Sequence, residues 1–176
     1  MASNEKDAAD QYDEAIAAYG AALQRLVRAY EADPERRRDL LQEIHIALWR
    51  SLAGFDRRCS LRTWVYRVAH NTATSQVIRR RARAPTFVSL DDVDSMAVNV
   101  DREAAVDEQR VMERILQLVQ ALAPLDRQVI LLYLEGLDAG TIGEITGLSP
   151  GNVATKVHRI KKILSERFHE GARHGR

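Results

Sequence analysis

The chain has 176 residues, 45% hydrophobic and 29% charged, enough apolar material for one domain or two small ones in water. No apolar run approaches the roughly 20 residues that span a bilayer, and the polar start MASNEKDAADQYDE lacks a secretion-signal pattern, so a cytoplasmic protein is expected. A net charge of +1 conceals basic, acidic and basic segments in that order, and the single cysteine, Cys59, excludes an internal disulfide framework and reads as a plain loop or surface thiol.

Helical periodicity begins with Ile16, Tyr19, Leu23, Leu26, Val27 and Tyr30, which form one apolar stripe. Asp33-Pro34 follows as an N-cap with proline in the first turn. A second helix carries Leu40, Leu41, Ile44, Leu48 and Leu52 and stops near Gly54; Trp49 reads as part of its core face. Ser60 can cap a third helix, with Leu61, Trp64, Val65, Val68 and Ala69 inward, running to about Ala84 before Pro85. From Arg57 to Arg83 there are eight arginines and no acid.

Between Pro85 and Glu108 the balance inverts to seven acids and one arginine, with weak periodicity, so residues 85–105 read as an acidic linker. Periodicity resumes with Val111, Ile115, Leu118, Val119 and Leu122 until Pro124 interrupts it. Asp126 then reads as the cap of a helix bearing Val129, Ile130, Leu132 and Tyr133 and ending at Gly136. No strand-like alternation of any length occurs, so the expected fold class is all-α: two small helical domains, 1–84 and 106–176, joined by the linker.

The strongest local signal is the stretch from Tyr133 to Leu164. Asp138 can cap a short helix holding Ile142 and Ile145, and Gly147 supplies a left-handed stop. Ser149-Pro150 opens the next helix, where Val153, Val157, Ile160 and Leu164 face inward and Asn152, Thr155, Lys156 and Arg159 lie opposite. Two helices joined by a tight glycine-containing turn, one with an amide-bearing and basic outer face, describe a helix-turn-helix. Asn pairs with adenine, Arg with guanine, and Lys reaches phosphate or base. Gly143 suits a point where the two helices cross closely, although Gly140 and Gly143 each weaken their helix by about 1 kcal/mol relative to alanine.

The third helix has a different chemistry. Trp64 and Tyr66 offer stacking surfaces if they are not core, its arginines neutralise phosphate, and Asn71 can read a base edge, a combination suited to single-stranded DNA. His45 and His70 have no partners at metal-ligand spacing and read as ordinary surface or core histidines, so neither metal nor cofactor is expected.

These strings carry a family resemblance. DLLQE (39–43) with Leu48-Trp49, then Phe55-Asp56, then CSLRTWVYRVAHN (59–71) and the arginines Arg79, Arg80, Arg81 and Arg83 resemble region two of extracytoplasmic-function (ECF, group four) RNA polymerase sigma factors. LAPLDRQVILLYLEGL (122–137) and EITGLSPGNVATKVHRIKKIL (144–164) resemble their region four. The resemblance implies that 1–84 binds core RNA polymerase through Asp39, Gln42 and Glu43. It implies that the same region melts the minus-ten element through Phe55, Arg57, Arg58, Ser60, Arg62, Trp64, Arg67, Asn71, Arg79 and Arg80, the loop and Asn71 forming a pocket for a flipped-out base. It places minus-thirty-five contacts of 106–176 on Ser149, Gly151, Asn152, Thr155, Lys156 and Arg159. The implied partners are core polymerase, promoter DNA and an anti-sigma factor or other regulator. Where the family commonly has acids just before the position of Asp39, this chain has Arg36, Arg37 and Arg38; Glu31, Asp33 and Glu35 are candidates to substitute for them.

Two other readings compete. A helix-turn-helix repressor or activator acting on duplex DNA without polymerase explains the C-terminal half, but leaves the arginine- and aromatic-rich third helix without a task. A nuclease with a metal at Asp91, Asp92 and Asp94 lacks a base, a nucleophile and a phosphate-cradling loop, so no enzyme is expected.

Overall fold

The computed structural model describes residues 2–83 and 107–173, which form seven α-helices and no strand. They are α1 Ala2–Tyr30, α2 Pro34–Leu52, α3 Leu61–Arg83, α4 Asp107–Ala121, α5 Pro124–Leu134, α6 Ala139–Thr146 and α7 Pro150–Arg173. The acidic segment 85–105, with Asp91, Asp92 and Asp94, lies outside the described residues.

Local chemistry places most helix starts where the sequence suggests. The Asp33 side chain accepts from the Arg36 amide, with Pro34 in the first turn. Ser60 Oγ accepts from the Thr63 amide at 3.0 Å, Asp138 from the Thr141 amide at 2.9 Å and Ser149 from the Asn152 amide at 3.3 Å. Each satisfies a backbone donor that the first helical turn leaves orphaned. Gly147 ends α6 with φ 77°, a left-handed conformation that costs glycine little. Asp126 is a correction: α5 begins earlier, at Pro124 after Ala123, and Asp126 lies inside its first turn without capping it.

Helices α1, α2 and α3 pack around Leu23, Val27, Leu40, Ile44, Leu48, Val65, Ala69 and Ala73, all essentially excluded from water. Helices α4–α7 close on Leu122, Val129, Ile130, Leu132, Ile142, Ile145, Val153, Val157 and Ile160. Each fully buried Leu or Ile contributes roughly 1.5–3 kcal/mol of transfer free energy, so these two clusters dominate the fold. Trp49 departs from its expected core position: it is 51% exposed, its ring edge against Tyr12, because Leu40, Ile44 and Leu48 already define the buried face of α2.

The two helical groups also touch. Ala22, Ala29 and Tyr66 of the first group join the core of the second, and Leu131 of α5 packs against the first. Gln120 donates to the Arg28 carbonyl at 2.8 Å, and the buried Arg127 guanidinium lies 5.3 Å from the Tyr30 ring centroid. His70 is wholly buried at this junction, accepting or donating at Nδ1 with the Tyr30 hydroxyl at 3.1 Å. Burial pushes its pKa down to about 3, so it is neutral.

Candidate nucleic-acid interface

The α6–turn–α7 unit has the geometry its sequence suggests. Val153, Val157 and Ile160 are buried while Gly151, Asn152, Thr155 and Arg159 are exposed on the outer face of α7. Ser149 caps the helix and Thr155 Oγ donates back to the Gly151 carbonyl. Gly143 is required sterically: a Cβ there would lie 2.5 Å from the Leu148 carbonyl oxygen, so the turn passes directly over this glycine. The close approach is to the turn's backbone and not only to a helix crossing. Lys156 and Arg159, three residues apart, both reach Asp126 of α5: Lys156 Nζ to Oδ1 at 2.5 Å and an Arg159 guanidinium nitrogen to Oδ2 at 2.9 Å.

The α2–α3 loop gathers one part of the residues tied to the minus-ten element. The Phe55 ring lies 5.3 Å from that of Trp64, which is half-buried and donates from Nε1 to Ser51 Oγ at 3.0 Å. Arg57 and Arg58 are exposed; Arg58 pairs with Asp56 at 2.9 Å, and Arg57 holds φ 59°. A left-handed backbone at a residue with a side chain costs roughly 1–2 kcal/mol, so the turn around it holds this conformation against that cost. A groove of about 270 Å³ opens beside the loop, lined among others by Asp7, Gln11, Phe55 and Arg57. Asn71 is exposed but does not line that groove, standing roughly 15 Å further along α3 at 1.5 Å per residue.

The remaining arginines of α3 are engaged within the protein. Arg62 donates to the Glu135 carbonyl and lies 5.7 Å from the Tyr66 centroid, while Arg67 donates to the Glu144 carbonyl at 3.4 Å. The Glu135 carboxylate accepts a bidentate pair from Arg25 at 2.9 and 2.8 Å and a third bond from the Tyr66 hydroxyl at 3.0 Å. Those hydrogen bonds, Arg25's first, hold the Glu135 carboxyl below the usual carboxylate range, and burial beside it pushes the Tyr66 phenol up to about 12. Tyr66 is therefore core, not an open stacking platform. Glu135 is a residue the sequence reading missed, and no local pattern signals it, because its partners lie 69 and 110 positions away.

On α2, Asp39, Gln42 and Glu43 are exposed opposite the buried Leu40, Ile44 and Leu48, and Ile46 (43%) and Trp49 continue that outer stripe. Arg79 of α3 reaches Glu43 at 3.9 Å and Arg80 pairs with Glu31. Glu31 is buried and also accepts from the Asp33 amide, and Asp33 is spent on its cap. Neither therefore stands in for the missing acids at 36–38. Arg37 has a structural task there: its guanidinium donates to the Glu31 and Ala32 carbonyls at 2.7 and 2.6 Å, closing the C-terminal end of α1. Cys59 is a half-buried free thiol. Among the described residues no helix is long and apolar enough to cross a membrane, and no group of three or more His, Cys, Asp or Glu could hold a metal ion.

Comparison with known proteins agrees with this layout. The family model for sigma-70 region 2 matches residues 15–84, and that for sigma-70 region 4 matches residues 112–164. The ECF RNA polymerase sigma factor SigX of Bacillus subtilis is 28% identical over 137 residues, covering 75% of this chain and 70% of that one. SigW of the same organism is 25% identical over 172 residues, covering 93% and 88%. Among solved structures, the sigma factor RpoE of Bartonella quintana, in complex with the anti-sigma factor NepR, aligns with a TM-score of 0.66 at 18% identity over 88% of this chain and 94% of that chain. The two regions, matched in order and together spanning most of the chain, show that it belongs to the sigma-70 family, among the ECF RNA polymerase sigma factors.

Proposed function

We propose that this ECF sigma factor binds core RNA polymerase through the outer stripe of α2, opens the minus-ten element with the α2–α3 loop and α3, and reads the minus-thirty-five element with α7. The observation that carries the reading is the pairing of two unlike surfaces in one chain. One is a recognition helix with Asn152, Thr155 and Arg159 exposed for duplex DNA. The other is an arginine- and aromatic-bearing loop and helix suited to an unpaired strand. Asp39, Gln42 and Glu43, exposed beside Ile46 and Trp49, give α2 an acidic and apolar face for a protein partner. The chain performs no chemistry of its own in this reading and works in the cytoplasm, where the polymerase is. Residues 1–84 and 106–176 act as the two working units, joined by the acidic linker.

The geometry adds a condition. Arg62 and Arg67 are covered by α5 and α6, so their use on a DNA strand requires the two helical groups to part. An anti-sigma factor accompanies the structurally similar RpoE, and a regulator of that kind would act here by favouring or opposing the parting. A repressor acting on duplex DNA alone is disfavoured by the region 2 match over residues 15–84.

The test is run-off transcription from a promoter library with core polymerase, with and without this chain. Selective initiation at a subset of promoters is the expected outcome. Initiation no better than core enzyme on every promoter, despite stable binding, refutes the assignment.

A further inference from the structure

The cations of α7 most suited to DNA are not left to solvent. Lys156 and Arg159 converge on the two oxygens of one carboxylate, Asp126, whose side chain is only 15% exposed. Asp126 sits in the first turn of α5, and the next residue, buried Arg127, donates to the Gln120 and Leu122 carbonyls, which fixes that end of α5. The carboxylate is thus held by a helix that is not the recognition helix. It holds Arg159 through one guanidinium nitrogen and leaves the other N–H donors of the planar fork available.

We propose that Asp126 is a positioning residue for promoter reading, orienting Arg159 for a base edge and offsetting the charge of Lys156 and Arg159 toward phosphate. The proposal rests on the reading of α7 as the minus-thirty-five helix. Two unpaired cations would add sequence-independent phosphate attraction, which carries nonspecific binding. Bound to one buried carboxylate, they contribute less of it, and Arg159 loses less side-chain freedom when it meets a guanine. Asp126 therefore trades affinity for discrimination without touching DNA.

The experiment uses reconstituted holoenzyme on the upstream duplex of a promoter it selects from a random library, and on the same duplex with that element scrambled. Asp126→Asn should raise affinity for the scrambled duplex and steepen the log-affinity against log-salt slope by about 1–2. The ratio of specific to scrambled affinity should fall about fivefold or more. Asp126→Glu, which keeps the charge, should stay near the native slope. An Asp126→Asn holoenzyme with native slope and native ratio overturns the proposal. Arg159→Ala separates the two levels: if it leaves the ratio unchanged, α7 does not read bases through Arg159 and the underlying reading fails. If it lowers the ratio while Asp126→Asn does not, only the role of Asp126 fails. A measurement free of any folding defect completes the test. In the unsubstituted protein the Arg159 Nε–H order parameter should approach that of the backbone, and a freely reorienting guanidinium overturns the proposal.

Discussion

Substituting Gly143 by alanine should destabilise the helix-turn-helix, although alanine is the better helix former. Propensity alone favours alanine by about 1 kcal/mol. Against it, the added methyl would sit 2.5 Å from the Leu148 carbonyl oxygen, about 0.9 Å inside the 3.4 Å at which ordinary contact begins. That oxygen cannot retreat cheaply. Gly147 before it is committed to φ 77°, and Ser149 after it both caps α7 and accepts the Val153 amide at 3.0 Å. Overpacking of this kind costs roughly 1–3 kcal/mol, so the net loss should be about 1–2 kcal/mol. For a chain of this size each kcal/mol moves Tm by roughly 2–4 °C, which puts the drop at about 2–8 °C. Gly151→Ala in the same unit is the control: nothing lies within 4 Å of its Cβ, so stability should hold or rise. The assay is thermal unfolding followed by far-UV circular dichroism on both variants. A Gly143→Ala protein melting at or above the native temperature would falsify the claim that the turn is pinned over this residue.

Three further outcomes follow from named contacts. Glu135→Ala removes the Arg25 pair and the Tyr66 bond; with Arg25 60% exposed and screened, the contact between the helical groups should weaken by about 1–2 kcal/mol. Small-angle scattering should then show a larger radius of gyration, and an unchanged radius would rule Glu135 out as the clasp. His70 is held near pKa 3 while an exposed histidine titrates near 6.5, so the unfolded chain takes up the extra proton as pH falls between those values. Stability should accordingly drop at up to about 1.4 kcal/mol per pH unit below 6.5, with Glu135, its carboxyl lowered, adding loss in the same direction at still lower pH. Urea melts of native and His70→Gln protein should diverge in that slope, and equal slopes would show that another group controls acid stability. Asn71→Ala combined with Arg58→Ala should weaken permanganate footprints of unpaired thymines on duplex promoters while a pre-melted bubble restores transcription at least in part; native footprints in this double variant would remove both residues from promoter opening.

The regulatory reading of the closed contact depends on its chemistry. Much of the junction is polar and arginine-rich, centred on Glu135, and the apolar part is contributed by a few residues such as Ala22, Ala29, Tyr66 and Leu131. Exposed ion pairs are individually weak and screened by salt. A contact built this way can separate when a polymerase or DNA surface competes for the same arginines, whereas the two apolar cores stay intact.

How much of this was written locally is seen in particular residues. Asp33, Ser60, Asp138 and Ser149 could be recognised as caps because the amides they satisfy lie three residues on, where chain connectivity alone brings donor to acceptor. The stripes Leu40–Ile44–Leu48 and Val153–Val157–Ile160 were legible for the same reason, since helical spacing already assigns them to one face. The exposed Asn152, Thr155 and Arg159 followed from that face by subtraction. Other assignments depended on elements meeting in space. Asp126 looked like a cap, but α5 had already begun at Pro124, and its carboxylate was left to meet cations 30 and 33 residues away. Arg62 and Arg67 carry the same side chain as Arg58, yet only the packing of α5 and α6 on α3 separates engaged arginines from the loop pair. Glu31 looked available to a partner until the fold buried it against Arg80, 49 positions on. Hydrogen bonds and apolar faces within one helix are determined by backbone geometry, which the sequence encodes residue by residue. A charged side chain has no preferred partner until the chain has closed, because only then is it settled which opposite charge lies within reach and how much water lies between them.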